Sequence, residues 1–109
     1  MKKTEDQIEI ISNVDFENIN IDHTLTEGLI KNHQFINCMF YQCFIQDFQL
    51  ENVIFKDCSI RECIINGIDC INTNFINTKI KKSILQNNAF IKNSTFDKDS
   101  RLENCLINA

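Results

Sequence analysis

The chain has 109 residues, of which 43% are hydrophobic and 24% charged, with no proline and no tryptophan; that is one domain, and a compact one buries only about 65% of its unfolded surface. Fifteen acidic against eleven basic side chains leave a net charge of −4, which argues against direct nucleic-acid binding, since a phosphate-binding surface needs clustered Lys and Arg. No apolar run approaches the roughly 18 residues of a membrane-spanning helix.

Residues 1–13 read as an N-terminal cap segment. Met1-Lys2-Lys3-Thr4-Glu5-Asp6 lacks an uninterrupted apolar stretch behind its two lysines, so it does not resemble a secretion signal, and the expected setting is cytosolic and soluble. Thr4 and Gln7 have the spacing of a capping box for a short helix, with Ile8, Ile10 and Ile11 placed to cover an open end.

Residues 14–109 read as one repeat domain. Phenylalanine recurs at Phe16, Phe35, Phe55, Phe75 and Phe96, in steps of 19, 20, 20 and 21 residues, the mark of a unit stacked on itself. Inside that period lies a shorter one. Every fifth residue from Leu25 to Phe90 is large and apolar except Cys70, a spacing that matches neither a 3.6-residue helix nor a two-residue strand alternation. Two residues before each large residue sits a mostly small one, such as Cys38, Cys43, Val53, Cys58, Cys63, Thr73, Thr78 and Ser83. Polar residues, including Asn37, Gln42, Asp47, Asn52, Asp57, Glu62 and Asn72, occupy positions suited to tight corners.

Five residues per side and twenty per repeat make four sides to a coil. Stretches such as Cys58-Ser59-Ile60-Arg61-Glu62 and Thr78-Lys79-Ile80-Lys81-Lys82 resemble the small–polar–large–polar–turn motif of the pentapeptide-repeat proteins. The resemblance runs over residues 14 to 108 and implies an all-β fold, a right-handed quadrilateral β-helix of about four to five coils. The chain departs from the usual motif in placing Cys, Thr and Ser where Ala is common.

Stacking arithmetic predicts four internal ladders. Phe16, Phe35, Phe55, Phe75 and Phe96 form the first, and Ile21, Phe40, Ile60, Ile80 and Leu102 the second. Leu25, Ile45, Ile65, Leu85 and Ile107 form the third, and Ile30, Leu50, Cys70 and Phe90 the fourth. In the last, Cys70 follows the large Ile68 and Leu50 follows Phe48, so interior volume is conserved. The spacing is one residue short between Ile21 and Leu25, and one residue long before Phe96 and before Leu102; the excess is expected to bulge at corners within 91–95 and 97–101.

Cys38, Cys43, Cys58 and Cys63 have the spacing of paired metal ligands, but a five-residue repeat generates the same spacing. Rungs about 4.8 Å apart do not converge on one tetrahedral ion, so no metal or other cofactor is expected. In the same frame His23 shares a column with Cys43 and Cys63, and His33 falls in a slot above Val53. Neither histidine has a nucleophile or carboxylate arranged beside it as a catalytic pair requires. A filled rod with few loops offers no concave site, and the protein is expected not to be an enzyme.

The informative anomaly is outside. Phe44, Ile64, Ile84 and Leu106 each precede a core residue of the third column and form an apolar stripe expected to face solvent. Such a stripe is a candidate partner-binding surface or homodimer seam, or a ladder whose side chains pack only on each other. The leading expectation is a non-enzymatic interaction protein binding a macromolecular partner, or itself, through flat faces. Alternatives are a self-assembling structural spacer and an effector or immunity protein acting in competition between bacteria or on a host. The family resemblance adds protection of DNA gyrase from quinolones or toxins by mimicry of duplex DNA, with a topoisomerase as partner. For that role, Asp47, Glu51, Asp57, Glu62 and Asp69 are interspersed with Lys56 and Arg61, and the C-terminal dimerisation module of such mimics is not expected here.

Overall fold

The computed structural model describes residues 7–87 and 93–108. Backbone conformation repeats every five residues. Asn32, Asn37, Gln42, Asp47, Asn52, Asp57 and Glu62 all adopt left-handed φ, between 53° and 59°, turning the chain at regular intervals. That region is costly for a residue with a Cβ and is best tolerated by Asn and Asp, which explains the Asx-rich corners.

Between corners the chain runs as short parallel strands in in-register ladders. One face is a five-stranded sheet in the order Arg101–Glu103, Lys79–Lys81, Ser59–Arg61, Met39–Tyr41 and Asp15–Glu17. The other three faces are continuous around the corners, so Phe44–Lys56 and Ile64–Ile76 each run as 13-residue strands. Their pairing sets Ile45 on Ile65, Leu50 on Cys70 and Phe55 on Phe75. This is a four-sided parallel β-solenoid, the fold the repeat motif implied.

The large position of each side points into the coil. Phe75, Ile60, Ile65, Ile80 and Leu85 are fully buried, and Phe35, Phe55, Phe75 and Phe96 stack with ring centroids 5.1, 4.9 and 4.5 Å apart. Phe48 and Ile68 are buried in register beside Leu50 and Cys70, so the predicted exchange of volume holds there.

The small positions also bond. Cys58 Sγ lies 3.2 Å from the Phe35 carbonyl oxygen and 3.3 Å from that of Lys56. Cys63 repeats the arrangement with Phe40 and Arg61 at 3.4 and 3.3 Å, and Thr78 with Phe55 and Ile76, both at 3.0 Å. A donor at this site gives corner carbonyls such as those of Lys56 and Ile76 a second bond beside the backbone N–H each already accepts, from Asn37 and Asp57 at 2.9 Å, which alanine cannot do. The Cys, Thr and Ser that depart from the usual motif have this physical reason. Asn side chains form a second file outside the corners, with Asn52 donating to Asn32 at 2.7 Å and Asn72 to Asn52 at 3.1 Å.

The first coil differs from expectation. Asp22 caps a four-residue helix, His23–Thr26, accepting from Thr24 and Leu25 N–H at 2.9 and 3.4 Å, and Glu27 closes it in the left-handed region. This turn of helix fills one corner, so Ile21 and Ile30 are successive core positions nine residues apart. Below it every ladder moves by one side. Phe16 pairs with Phe40, not Phe35, and Ile11 occupies the place under Phe35. Ile21, not Leu25, lies under Ile45, and Leu25 projects from the helix, 65% exposed.

Glu9–Ser12 is a strand paired with His33–Ile36, so coil pairing extends into the segment read as a cap; the capping box at Thr4 lies outside the described residues. At the other end, Asp97 builds the corner before Leu102, accepting from Asp99 N–H at 3.3 Å and Ser100 Oγ at 2.7 Å. That accommodates the extra residue where expected. The excess before Phe96 falls largely outside the described residues, as does Phe90.

Candidate functional site

Pairing places Phe44 beside Ile64, Ile64 beside Ile84 and Ile84 beside Leu106 on one face. Each backbone N–H of the row donates to the rung below: Phe44 to Ile19 at 3.0 Å, Ile64 to Cys43 at 3.0 Å, Ile84 to Cys63 at 2.9 Å and Leu106 to Ser83 at 3.0 Å. The row is therefore fixed by the ladder and points outward. Ile64 is 37% and Leu106 57% exposed, with Phe44 and Ile84 half-buried. The column ends at Asn20, the partner of Phe44 on the first rung.

A second outward row lies on this face, beyond the residues that the sequence pattern singled out. Gln46 pairs with Asn66, Asn66 with Gln86 and Gln86 with Asn108. From Phe44 to Asn108 this face presents a row of large apolar groups beside a row of amides and no charged side chain. It is readable one residue beyond each core position of this column, in the same five-residue frame as the stripe.

The neighbouring face contrasts with it. Lys79, Lys81 and Arg101 project there, with Lys81 paired to Glu103 at 3.7 Å and Arg101 to the same carboxylate. Lys82 stands at the corner. Lys79, Lys81 and Lys82, close together in sequence, thus split between a face and a corner, with Lys81 paired. Acids are likewise dispersed: Glu51 pairs with Lys31 at 3.3 Å, Glu62 with Arg61 at 3.4 Å, and Asp47 and Asp57 turn different corners.

Cys38 and Cys58 stack in one slot column, and Cys43 and Cys63 in the next. Burial pushes the Cys58 and Cys63 thiols up to about 11, since a thiolate in this slot would lose its hydration. His33 sits in a slot paired with Val53, as expected. His23 does not stack with Cys43; it lies on the inserted helix, and Ile19 takes the place below Cys43.

The expectation of a rod without concavity fails at the N-terminal end, where a cavity of about 390 Å³ opens into the coil. Its polar side chains are His33 and Thr26. A second hollow, about 320 Å³, follows the corner carrying Asn13, Asn37, Asp57 and Asn77.

No protein-family model matches the chain, and no curated protein matches it in sequence. Among solved structures it is similar to a pentapeptide repeat protein (Rfr23) from the cyanobacterium Cyanothece 51142, at 12% identity and a TM-score of 0.29, over 84% of this chain and 86% of that one. The fold rests on the five-residue corners and in-register ladders.

Proposed function

We propose that this chain, a β-solenoid of the pentapeptide-repeat type, is a non-enzymatic interaction protein that binds a protein partner, or a second copy of itself, through the face bearing Phe44, Ile64, Ile84 and Leu106. The observation behind this reading is the absence of charge on that face in a chain of which 24% is charged. Interface cores are depleted of charge and enriched in large apolar groups, and the amide row beside the stripe offers hydrogen bonds without the desolvation cost of an ion. The ladder holds both rows before any partner arrives, so little ordering entropy is lost on docking.

A flat β-face of this kind suits another flat face packed about 10 Å away. The dispersed acids do not favour mimicry of duplex DNA, which needs a continuous run of negative charge. The test is to compare the wild type with Ile64→Asp/Ile84→Asp by light scattering at high micromolar concentration and by capture of partners from native lysate. Loss of dimer or of a specific captured protein in the variant, with unchanged circular dichroism, is expected. A monomeric wild type whose captured proteins are identical to those of the variant would sink the reading.

A further inference from the structure

The cavity at the N-terminal mouth has a local cause in the sequence. In the inward slot of one face, Phe48 and Ile68 fill two successive rungs, and the position below Phe48 is Gly28, whose carbonyl accepts from Gln49 N–H at 3.0 Å. A Cβ built at Gly28 meets nothing within 4 Å. The rung that should carry a large side chain carries none, and the inserted helix holds that corner open. The hollow continues inward as far as Phe55 and Ile60, two rungs up the axis. It is a blind hole and not a face, so the flat end of a second coil could cover it without filling it.

Among the described residues the walls are apolar except at His33 and Thr26. His33 Nδ1 lies 2.7 Å from the Lys31 carbonyl oxygen; a carbonyl can only accept, so Nδ1 bears the proton and Nε2 of the neutral ring is an acceptor. Thr26, the other polar side chain of the lining, is already engaged with the Asp22 carbonyl oxygen at 2.8 Å and Gly28 N–H at 3.2 Å. We propose that this cavity binds a small apolar molecule with a single hydroxyl, the body seated among Phe16, Ile21, Ile30, Phe35 and Leu50 and the O–H donated to His33 Nε2. The volume, about 390 Å³, is well over twice the roughly 150 Å³ that accommodates benzene in a dry apolar cavity, which points to a two-ring aromatic alcohol. The site stands at the end of the coil, apart from the stripe, and does not depend on the stripe's role.

The probe is 2-naphthol, with naphthalene as its hydroxyl-free counterpart, titrated against the full chain by fluorescence and by methyl chemical shifts. Saturable one-to-one binding is expected, with shifts at Ile21, Ile30 and Leu50 and a preference of about tenfold for the naphthol. His33→Leu should abolish the preference while retaining naphthalene. Ile30→Phe, which fills the mouth, should weaken both at least fivefold; Ile11→Phe serves from the adjoining wall, under Phe35, if that variant does not fold. The proposal is overturned if neither probe saturates, if binding ignores the filling variant, if His33→Leu keeps the preference, or if a second copy must dissociate before either probe enters.

Discussion

Cys58 and Thr78 occupy successive rungs of one inward slot, and the Cys58 N–H donates to Thr78 Oγ1 at 3.2 Å. Thr78 N–H donates in turn to Ser100 Oγ at 2.8 Å, and on the next face Cys63 N–H donates to Ser83 Oγ at 3.1 Å. The slot is a file of polar atoms inside an apolar coil, and among the described residues no buried side-chain nitrogen or oxygen is left without a partner.

Thr78→Val keeps the shape and removes the hydroxyl. It leaves the Cys58 N–H without the acceptor it has in the wild type, and an unmade buried hydrogen bond costs about 1–3 kcal/mol. Thr78→Ser keeps the hydroxyl and loses one methyl, at about 1 kcal/mol. Urea unfolding should therefore rank wild type above Ser above Val; a Val variant as stable as the Ser variant would show that the file is incidental.

The buried thiols predict a loss of stability in alkali. Cys58 and Cys63 are raised by burial from 9.0 to about 11, whereas in the unfolded chain they ionise at the ordinary value. The protons retained by the folded state favour it below pH 9, and that contribution drains away as pH rises from about 9 to 11. The ceiling is about 2–3 kcal/mol for each thiol. Denaturation midpoints should fall over that window and fall less in Cys58→Ser/Cys63→Ser. In the native protein at pH 8 both thiols should react with a disulfide reagent far more slowly than after unfolding; equal rates would contradict their burial.

Two glycines separate backbone strain from crowding. Gly67 turns a corner at φ 65°, and a Cβ there would lie 3.0 Å from Asp47 Oδ1. Gly28 has φ 85° and open space around it. Both pay for alanine in the left-handed region, at about 1–2 kcal/mol, but only Gly67→Ala must also displace the Asp47 carboxylate. Thermal unfolding should show Gly67→Ala as the more damaging, and the reverse order would remove the crowding argument.

From Ile30 to Leu85 the core positions were legible in the sequence, because each side there spends five residues and register is then simple counting; Ile107, placed inside by the same count, is 44% exposed on the last described rung. Below Leu29 the count misled. In a frame of five, a side one residue short and a side four residues long leave the same phase. Counting therefore puts Phe16 under Phe35 and Leu25 in the core, whereas the chain inserts a turn of helix. The signal was present in Asp22, an N-cap residue, and in Gly28 just past Glu27, the ordinary start and stop of a helix. The mouth cavity was not legible, since an unfilled slot depends on which rung Gly28 belongs to, and that follows only once the helix is placed.

That insertion can be undone. Removing residues 24–27 joins His23 to Gly28 and leaves Ile21-Asp22-His23-Gly28-Leu29-Ile30, with five residues from Ile21 to Ile30 and His23 at the corner. Histidine is among the residues that enter the left-handed region more readily, and Gly28 would keep its place below Phe48. The helix has no buried residue, so its loss removes little apolar burial, and the shorter connection costs less closure entropy. The deletion should fold with unchanged circular dichroism and a stability within about 1 kcal/mol of wild type by loop-closure reasoning. Removing only residues 24–25 leaves seven from Ile21 to Ile30, which serves neither a helix turn nor a five-residue corner, and should destabilise more. If the two-residue deletion is the milder change, the solenoid does not count in fives at this corner and the assignment of Ile21 and Ile30 as consecutive core positions is wrong.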